Sequence, residues 1–584
     1  MTGTAPAATT KWALLCLLVL AGGQGLKVWG GHPALLEGGL FDPDCYLHLQ
    51  RALQMIEGGL WRLPVDVRID APYGGVLHWT SLFDLILVAG AKVMMLFGLT
   101  ARDALLWWGG AVSPLLLLAA LPVLWWGLRP LVDGRLALLA ALLLLPQGQA
   151  AAAFQVGRPD HQSLLMASFL IQLGCVTAMV DGRAGLRAAV LAGISQGLAL
   201  WCSVEGLLFT LVMALPLTLA WVADGRPTLR LLRAYAAAAL AVLAAALWFE
   251  QPEGALLVAQ ARPSLVHAVA LAGGLAALLL AWPLEARLAS PRARAAALAV
   301  LALAALAPAS VVFPDFLRGP WGRLDPVLAE WHGEVQELQP LLPTSRQSLL
   351  LFLSQCAIPL AAATFLIPHL RRCPTPERRR LTPLALMAAL FFVLALIQAR
   401  WAAYVQLALL IPAAMAVRAL WRCRPVVRTP ATAAILSLQL IASHAASAAV
   451  TTHDSPTCNW TDAARMLAAE PGDGRIVLTD LYAGPEILWR TSYRVVAGPY
   501  ELAAAIRDTR AFMRGDAAEA HAVLERRGID QVLLCRSDGE ITGALAAALR
   551  GHEAETPAGF APLPAPEGFA RYAVQPDRSL GQKP

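Results

Sequence analysis

The chain of 584 residues is 58% hydrophobic and only 15% Asp, Glu, Lys or Arg, with a formal net charge of +6. A soluble globular chain carries about 25% charged residues, and no polar linker divides residues 1–450. A soluble, fibrous or disordered protein is excluded, and so modest a charge points to no nucleic-acid partner.

Leu- and Ala-rich runs of about 17 to 25 residues recur between short Arg-bearing breaks, each run long enough for a bilayer core of about 30 Å. In chain order the predicted spans are 12–30, 104–127, 136–153, 163–180, 188–203, 206–222 and 234–249. They continue with 264–284, 294–312, 347–367, 382–399, 402–420 and 429–449. The first lacks a small-residue cleavage site and reads as a retained span, not a signal peptide. Residues 82–98 are apolar too but contain Asp84 and Lys92.

Loop charge arbitrates through the positive-inside bias. If 82–98 does not fully cross, eighteen Arg from Arg129 to Arg428 fall in cytoplasmic loops; if it crosses, the same eighteen lie outside. The expected architecture is therefore a polytopic α-helical membrane protein of about 13 transmembrane helices, with a cytoplasmic N-terminus. Residues 1–449 form its membrane domain and 450–584 a small C-terminal extracytoplasmic α/β domain. A bacterial inner (plasma) membrane is the expected location.

This topology puts loops 31–103, 154–162 and 313–346 on the outer face with the tail. The first holds Asp42, Asp44, Glu57, Asp66, Asp70 and Asp84, the second Arg158, Asp160 and His161, and the third Asp315, Asp325, Glu330, Glu334 and Glu337. Carboxylates at a membrane edge are costly unless solvated, paired or metal-bound, so three sets on one face suggest a site, with solvated loop charges as the alternative. Trp201, Trp321 and Trp331 read as interfacial anchors; with Glu205 they are otherwise candidates to line a groove.

In the tail, helices are predicted over 462–470, 501–514, 516–526 and 541–550, and strands over 475–479, 494–497 and 531–535. Thr461 is a possible first cap. Neither GxGxxG, P-loop, GxSxG nor HExxH occurs there. Cys458 and Cys535 can pair if the tail faces an oxidising compartment. Asn459-Trp460-Thr461 fits a glycosylation sequon, a triplet common by chance.

Four patches in order resemble the catalytic subunit of oligosaccharyltransferases, GT-C-fold membrane enzymes that use polyprenyl-phosphate-linked glycans. Phe41-Asp42-Pro43-Asp44-Cys45-Tyr46-Leu47-His48-Leu49-Gln50-Arg51 resembles the first-loop signature of that family. Registering Tyr46 and His48 on the archaeal pattern puts the metal-binding and catalytic Asp at Asp44, while the eukaryotic style would select Asp42. Gly157-Arg158-Pro159-Asp160-His161-Gln162 falls where the family has its second acidic motif. There Asp160 fits, and Gln162 replaces the usual acidic or His ligand with an amide oxygen. His161 is either a ligand or a helix-start residue.

Glu334-Val335-Gln336-Glu337-Leu338-Gln339-Pro340 resembles the third patch, with Glu337 on the family's functional Glu. Arg400-Trp401 is similar to the fourth, where an Arg holds the lipid-linked phosphate; a snorkelling interfacial Arg is the alternative. In the tail, Asp480, Tyr482 and Gly484 resemble part of the family's Trp-Trp-Asp-Tyr-Gly, but the Trp pair is absent. Sequon reading is therefore not implied.

The resemblance implies transfer of a glycan from a polyprenyl-(pyro)phosphate donor to an extracytoplasmic protein, lipid or polysaccharide. Mg²⁺ or Mn²⁺ would be held by Asp44, Asp160, Gln162 and Glu337. Asp44 and Glu337 would be catalytic, Arg400 would bind the donor phosphate, and Asp42, His48, His161 and Asp480 would support them. The alternatives are a GT-C enzyme moving a single sugar to a lipid or polysaccharide, and a non-enzymatic transporter of lipid-linked glycan. The latter would carry charges within its spans and inverted repeats, and neither is evident.

Overall fold

The computed structural model describes residues 6–30, 35–251, 258–259, 261–315, 318, 324–422, 433–434, 437–445, 458–551 and 556–575. Trp321 and about half of the predicted span 429–449 lie outside them. In chain order the first helices are α1 (Pro6–Trp29), α2 (Pro43–Glu57), α3 (Leu82–Met95), α4 (Ala101–Leu128), α5 (Gly134–Leu144) and α6 (Gly148–Ala153). Then come α7 (His161–Val180), α8 (Leu186–Cys202), α9 (Gly206–Asp224), α10 (Arg226–Glu250), α11 (Leu265–Leu284) and α12 (Pro291–Val312). After α13 (Pro326–Glu334), α14 (Arg346–Arg372), α15 (Thr375–Ile397) and α16 (Ala402–Leu420), the tail adds five short helices and five strands.

Two compact units result. The first comprises 1–32, 111–323 and 333–447, and the second 33–110, 324–332 and 448–584. Among the described residues, nine helices are long and apolar enough to cross a membrane. The fold is polytopic and helical with a small C-terminal sheet, as expected. Several predicted spans take other forms. Residues 136–153 divide into α5 and α6, and α8 has only 17 residues. Segment 82–98 becomes the 14-residue α3, short of the roughly 20 residues a crossing helix needs.

The division of 136–153 has a local cause. Pro146 cannot donate to a helix ladder, and glutamines satisfy the freed backbone. Gln439 Nε2 donates to the Pro146 carbonyl at 2.8 Å, and the Ala150 N–H donates to Gln406 Oε1 at 3.0 Å. Gln406 is itself held by Gln355, 2.9 Å away. Broken helices are tolerated in a bilayer when neighbours satisfy their backbone in this way.

Elsewhere in the first unit, α4 and α7 cross through glycine. A Cβ on Gly174 would lie 2.6 Å from the Val123 carbonyl oxygen, and one on Gly127 would lie 2.1 Å from that of Gly174. Small residues let membrane helices approach to backbone contact. Gly174→Ala is therefore expected to destabilise the protein by about 1–3 kcal/mol, the usual cost of overpacking. A thermal scan of detergent-solubilised protein should show a lower midpoint, whereas Gly22→Ala, where a Cβ meets nothing within 4 Å, should leave it unchanged.

In the second unit, the first long loop and the tail build one body. The sheet has strand order β2-β1-β3-β5-β4, with β1 (Ile476–Leu478), β2 (Arg494–Val495), β3 (Gln531–Cys535), β4 (Phe560–Pro562) and β5 (Phe569–Val574). β2, β1 and β3 run parallel, and β5 is antiparallel to β3 and β4. The β2 edge is covered by the loop, since the Val495 N–H donates to Arg68 O at 2.8 Å and the Ala71 N–H to Val495 O at 3.1 Å. Fully buried Arg527 ties Asp70 of the loop (2.5 Å) to Asp508 of the tail (2.6 Å). Cys458 and Cys535 form a disulfide that joins the start of the tail to the end of β3.

The tail helices are α17 (Trp460–Ala468), α18 (Gly484–Arg490), α19 (Ala503–Arg514), α20 (Ala517–Arg527) and α21 (Ala544–Arg550). Asn459 caps α17, accepting from the Thr461 and Asp462 N–H groups, so the cap lies two residues before the predicted Thr461.

Candidate active site

Asp160 sits where a rigid loop turns into α7. Gly157 takes a left-handed φ of 79° that favours glycine. Gln24 of α1 grips the loop backbone, donating to Phe154 O at 3.1 Å and accepting from the Val156 N–H at 2.9 Å. Ser113 of α4 donates to the Arg158 carbonyl, and Ser163 Oγ donates to Asp160 O at 2.7 Å.

Held in this way, Asp160 caps α7 by accepting from the Gln162 N–H at 3.0 Å. The same oxygen lies 3.1 Å from His161 Nδ1. The other carboxylate oxygen faces Arg158 at 3.2 Å but accepts no well-aligned hydrogen bond, although Asp160 is only 1% exposed. Burial alone would raise its pKa. His161, Arg158 and the Gln162 amide outweigh that and hold the carboxyl well below the usual range.

Glu337 and Arg400 meet because their segments are latched by backbone. The Ala399 N–H donates to Gln339 O at 2.8 Å, and the Leu341 N–H to Ala395 O at 3.2 Å. This brings the short turn Gln336–Leu338 against the turn Ala399–Trp401 that precedes α16. One terminal nitrogen of Arg400 donates to Glu337 and the other to Glu205, at the joint between α8 and α9. Gln162 Nε2 makes a long contact, 3.5 Å, with the second oxygen of Glu337. Burial pushes the Glu337 pKa up, but the adjacent guanidinium more than reverses this and leaves it lowered.

Asp160, Gln162, Glu337 and Arg400 therefore form one connected cluster within the first unit, although they come from three separate sequence patches. Glu205, which the sequence offers only as a candidate to line a groove, is a further member, paired with Arg400. Its one signal was a carboxylate at the end of a span.

Asp42, Asp44 and His48 belong to the second unit. Asp42 caps α2, accepting from the Cys45 N–H at 3.1 Å, with Pro43 at the first helical position and Asp44 in the first turn. Capping gives Asp42 a structural task; Asp42 and Asp44 are both half-buried. His48 and Arg51, three residues apart on one face of α2, both reach Asp84 of α3 at 2.7 Å. Asp84 is fully buried. Burial works against its ionisation, yet Arg51 and His48 hold its pKa below normal. The charge in this apolar segment is thus the partner of the first-loop motif. His48 also stacks on Trp79, with centroids 4.2 Å apart.

Of the aromatics read as anchors, Trp201 donates to Glu250 at 2.8 Å and Trp331 is buried.

Asp480 follows β1 in the same unit and accepts from the Tyr482 N–H at 2.7 Å. Burial and the nearby charges of Asp538 and Glu540 raise its pKa to about 7. An unfolded Asp titrates near 3.9, so between about pH 4 and 7 the folded protein keeps a proton that the unfolded chain has released. Stability from this group therefore falls as pH rises through that window and is level above it. Asp480→Asn is expected to raise the apparent melting temperature at pH 8 and to leave it unchanged near pH 4.

The donor chemistry of the first-unit cluster suits a hard divalent cation. Asp160 offers a buried carboxylate oxygen that accepts no well-aligned hydrogen bond, Glu337 offers a second carboxylate, and Gln162 offers an amide. Carboxylate and amide oxygens are ligands that hard cations accept.

No family model and no curated protein sequence matches the chain. Solved structures do. Archaeal oligosaccharyltransferase AglB from Archaeoglobus fulgidus, in complex with an inhibitory peptide and a dolichol-phosphate, matches over 91% of this chain and 70% of its own, with TM-score 0.63 and 17% identity. The apo form of the Archaeoglobus fulgidus oligosaccharyltransferase matches over 94% and 72%, with TM-score 0.65 and 15% identity. Its complex with Zn and sulfate matches over 92% and 70%, with TM-score 0.58 and 17% identity.

The chain has the GT-C fold. The resemblance carried by the four short patches thus extends to the fold of nearly the whole chain. The GT-C scaffold gathers the second, third and fourth patches into the cluster described above, and sets the first on α2.

Proposed function

We propose that the chain is a membrane glycosyltransferase that moves a glycan from a polyprenyl-(pyro)phosphate donor to an extracytoplasmic acceptor. One observation carries this reading: Glu337 touches both Gln162 and Arg400, all three chosen from distant sequence patches, beside Asp160. The GT-C fold, and structures of AglB with dolichol-phosphate and of the same enzyme with Zn and sulfate, support a lipid-linked donor and a divalent cation. The Cys458–Cys535 disulfide supports an oxidising, extracytoplasmic setting for the tail.

In the proposed reaction a phosphate leaves as an anion while the anomeric carbon becomes electron-poor. Arg400 binds that phosphate, for which a guanidinium offers paired hydrogen bonds and a permanent charge. Asp160, Gln162 and Glu337 would hold Mg²⁺ or Mn²⁺, which would supply positive charge to the departing group; a ligand role for Asp44 rests on its loop signature alone. Glu337 orients the acceptor nucleophile and accepts its proton, and Asp44 is assigned that task from its loop signature alone. Asp84 holds His48 in one tautomer, and His161 braces Asp160.

The test is transfer of radiolabelled glycan from extracted lipid-linked donors by purified protein. Wild type should yield a labelled product whose chemistry identifies the acceptor as protein, lipid or polysaccharide. Arg400→Ala should lower the rate about 10²-fold, the scale of losing one charge-stabilising donor. No transfer from a donor pool shown to be competent would contradict the assignment.

A further inference from the structure

The ion pairs of Arg400 have a consequence for donor binding. Its two terminal nitrogens face two carboxylates, Glu205 and Glu337, so this part of the site carries a formal charge of −1 before any phosphate arrives. Its Nε is buried and has no acceptor among the described residues. A phosphate entering here brings more negative charge into a region where like charges repel strongly. One carboxylate must give way or be neutralised.

The two are not equivalent. Glu337 is anchored by the backbone latch of its turn and by the contact from Gln162. Glu205 has, among the described residues, Arg400 as its single side-chain partner. The pair is 20% exposed on each side, so Glu205 can swing away without losing another bond.

We propose that Glu205 is a gate on the phosphate site: it occupies Arg400 in the empty protein and is displaced by the phosphate of the lipid donor. This rests on the assignment of Arg400 as the phosphate binder. Glu205 is then a residue that sets donor affinity by competition. It also disfavours weakly binding anions, which cannot offset the broken pair.

The experiment is equilibrium binding of undecaprenyl phosphate to the full-length protein in nanodiscs. The variants are Glu205→Gln, Glu205→Asp, Arg400→Ala and the double variant Glu205→Gln/Arg400→Ala. The gate predicts about tenfold tighter binding in Glu205→Gln. Glu205→Asp, which withdraws the charge by one methylene, should fall between it and wild type. Arg400→Ala should bind at least tenfold more weakly than wild type, and in that background Glu205→Gln should gain little, since the coupling runs through Arg400.

Unchanged or weaker binding in Glu205→Gln, with the loss in Arg400→Ala intact, would overturn the gate and leave the phosphate assignment standing. Binding insensitive to Arg400→Ala would instead remove the assignment on which the gate rests. A merely structural role for Glu205 predicts weaker binding in both Glu205 variants.

Discussion

Asp160→Asn is expected to lower glycan transfer by 10²-fold or more while leaving the fold intact. The Asn side chain keeps an oxygen that accepts from the Gln162 N–H, so the cap on α7 survives at nearly full strength. What disappears is the negative charge. Arg158 and His161, now facing a neutral amide, lose the partner that organises them. The buried Asp160 oxygen that accepts no well-aligned hydrogen bond is lost as well. Removing a charged ligand from a hard-cation site weakens metal affinity far more than removing a neighbouring support, which costs about 10–100-fold. Steady-state transfer over a Mn²⁺ titration checks this. The variant should need much higher Mn²⁺ and remain slow at saturation while still folded at the assay temperature, with a lowered melting temperature from the lost ion pairs.

Asp84→Ala is expected to destabilise the second unit by about 3–5 kcal/mol, the range for breaking a buried ion pair from one side. Arg51, 2% exposed, and His48, 1% exposed, would be left without their shared carboxylate. A buried guanidinium cannot shed its proton to escape the penalty. Asp84→Asn should do less damage to packing but still lose the charge, and is expected to lie between the two. Thermal unfolding of the purified protein reads both. An Asp84→Ala midpoint equal to that of wild type would show that the pair contributes nothing to holding α2 on α3.

Much of the fold was legible because a bilayer imposes a strong rule: long apolar helices show up as long apolar runs. The rule failed where the backbone breaks inside a run. The run 136–153 was read as one span despite Pro146, and the glutamines that satisfy the break come from α14, α16 and residue 439, which no local pattern links. In the tail, β3 was read at its observed bounds because Gln531–Cys535 is buried throughout. Strands β4 and β5 were missed because their Pro- and Gly-rich flanks read as loop. Helix α18 was missed because Gly484-Pro485 reads as a turn; in fact Pro485 sits at the start of that helix, where its missing N–H costs nothing.

Asp160, Glu337 and Arg400, which the structure gathers in one cluster, had been named from short motifs. Glu205 was only a groove candidate and Asp84 one carboxylate among several, and the partner of neither was foreseen. Each acts by pairing with a distant arginine, and pairing is a property of packing that spacing does not reveal.

The central claim is that carboxylates from the separate patches serve one metal-assisted transfer reaction. Its most direct test measures transfer from a purified lipid-linked donor with and without Mn²⁺, in wild type, Asp44→Ala and Glu337→Ala. The account predicts cation-dependent transfer by wild type and near-complete loss in both variants, each still folded. Transfer that proceeds equally after chelation, or that survives both substitutions, would contradict it.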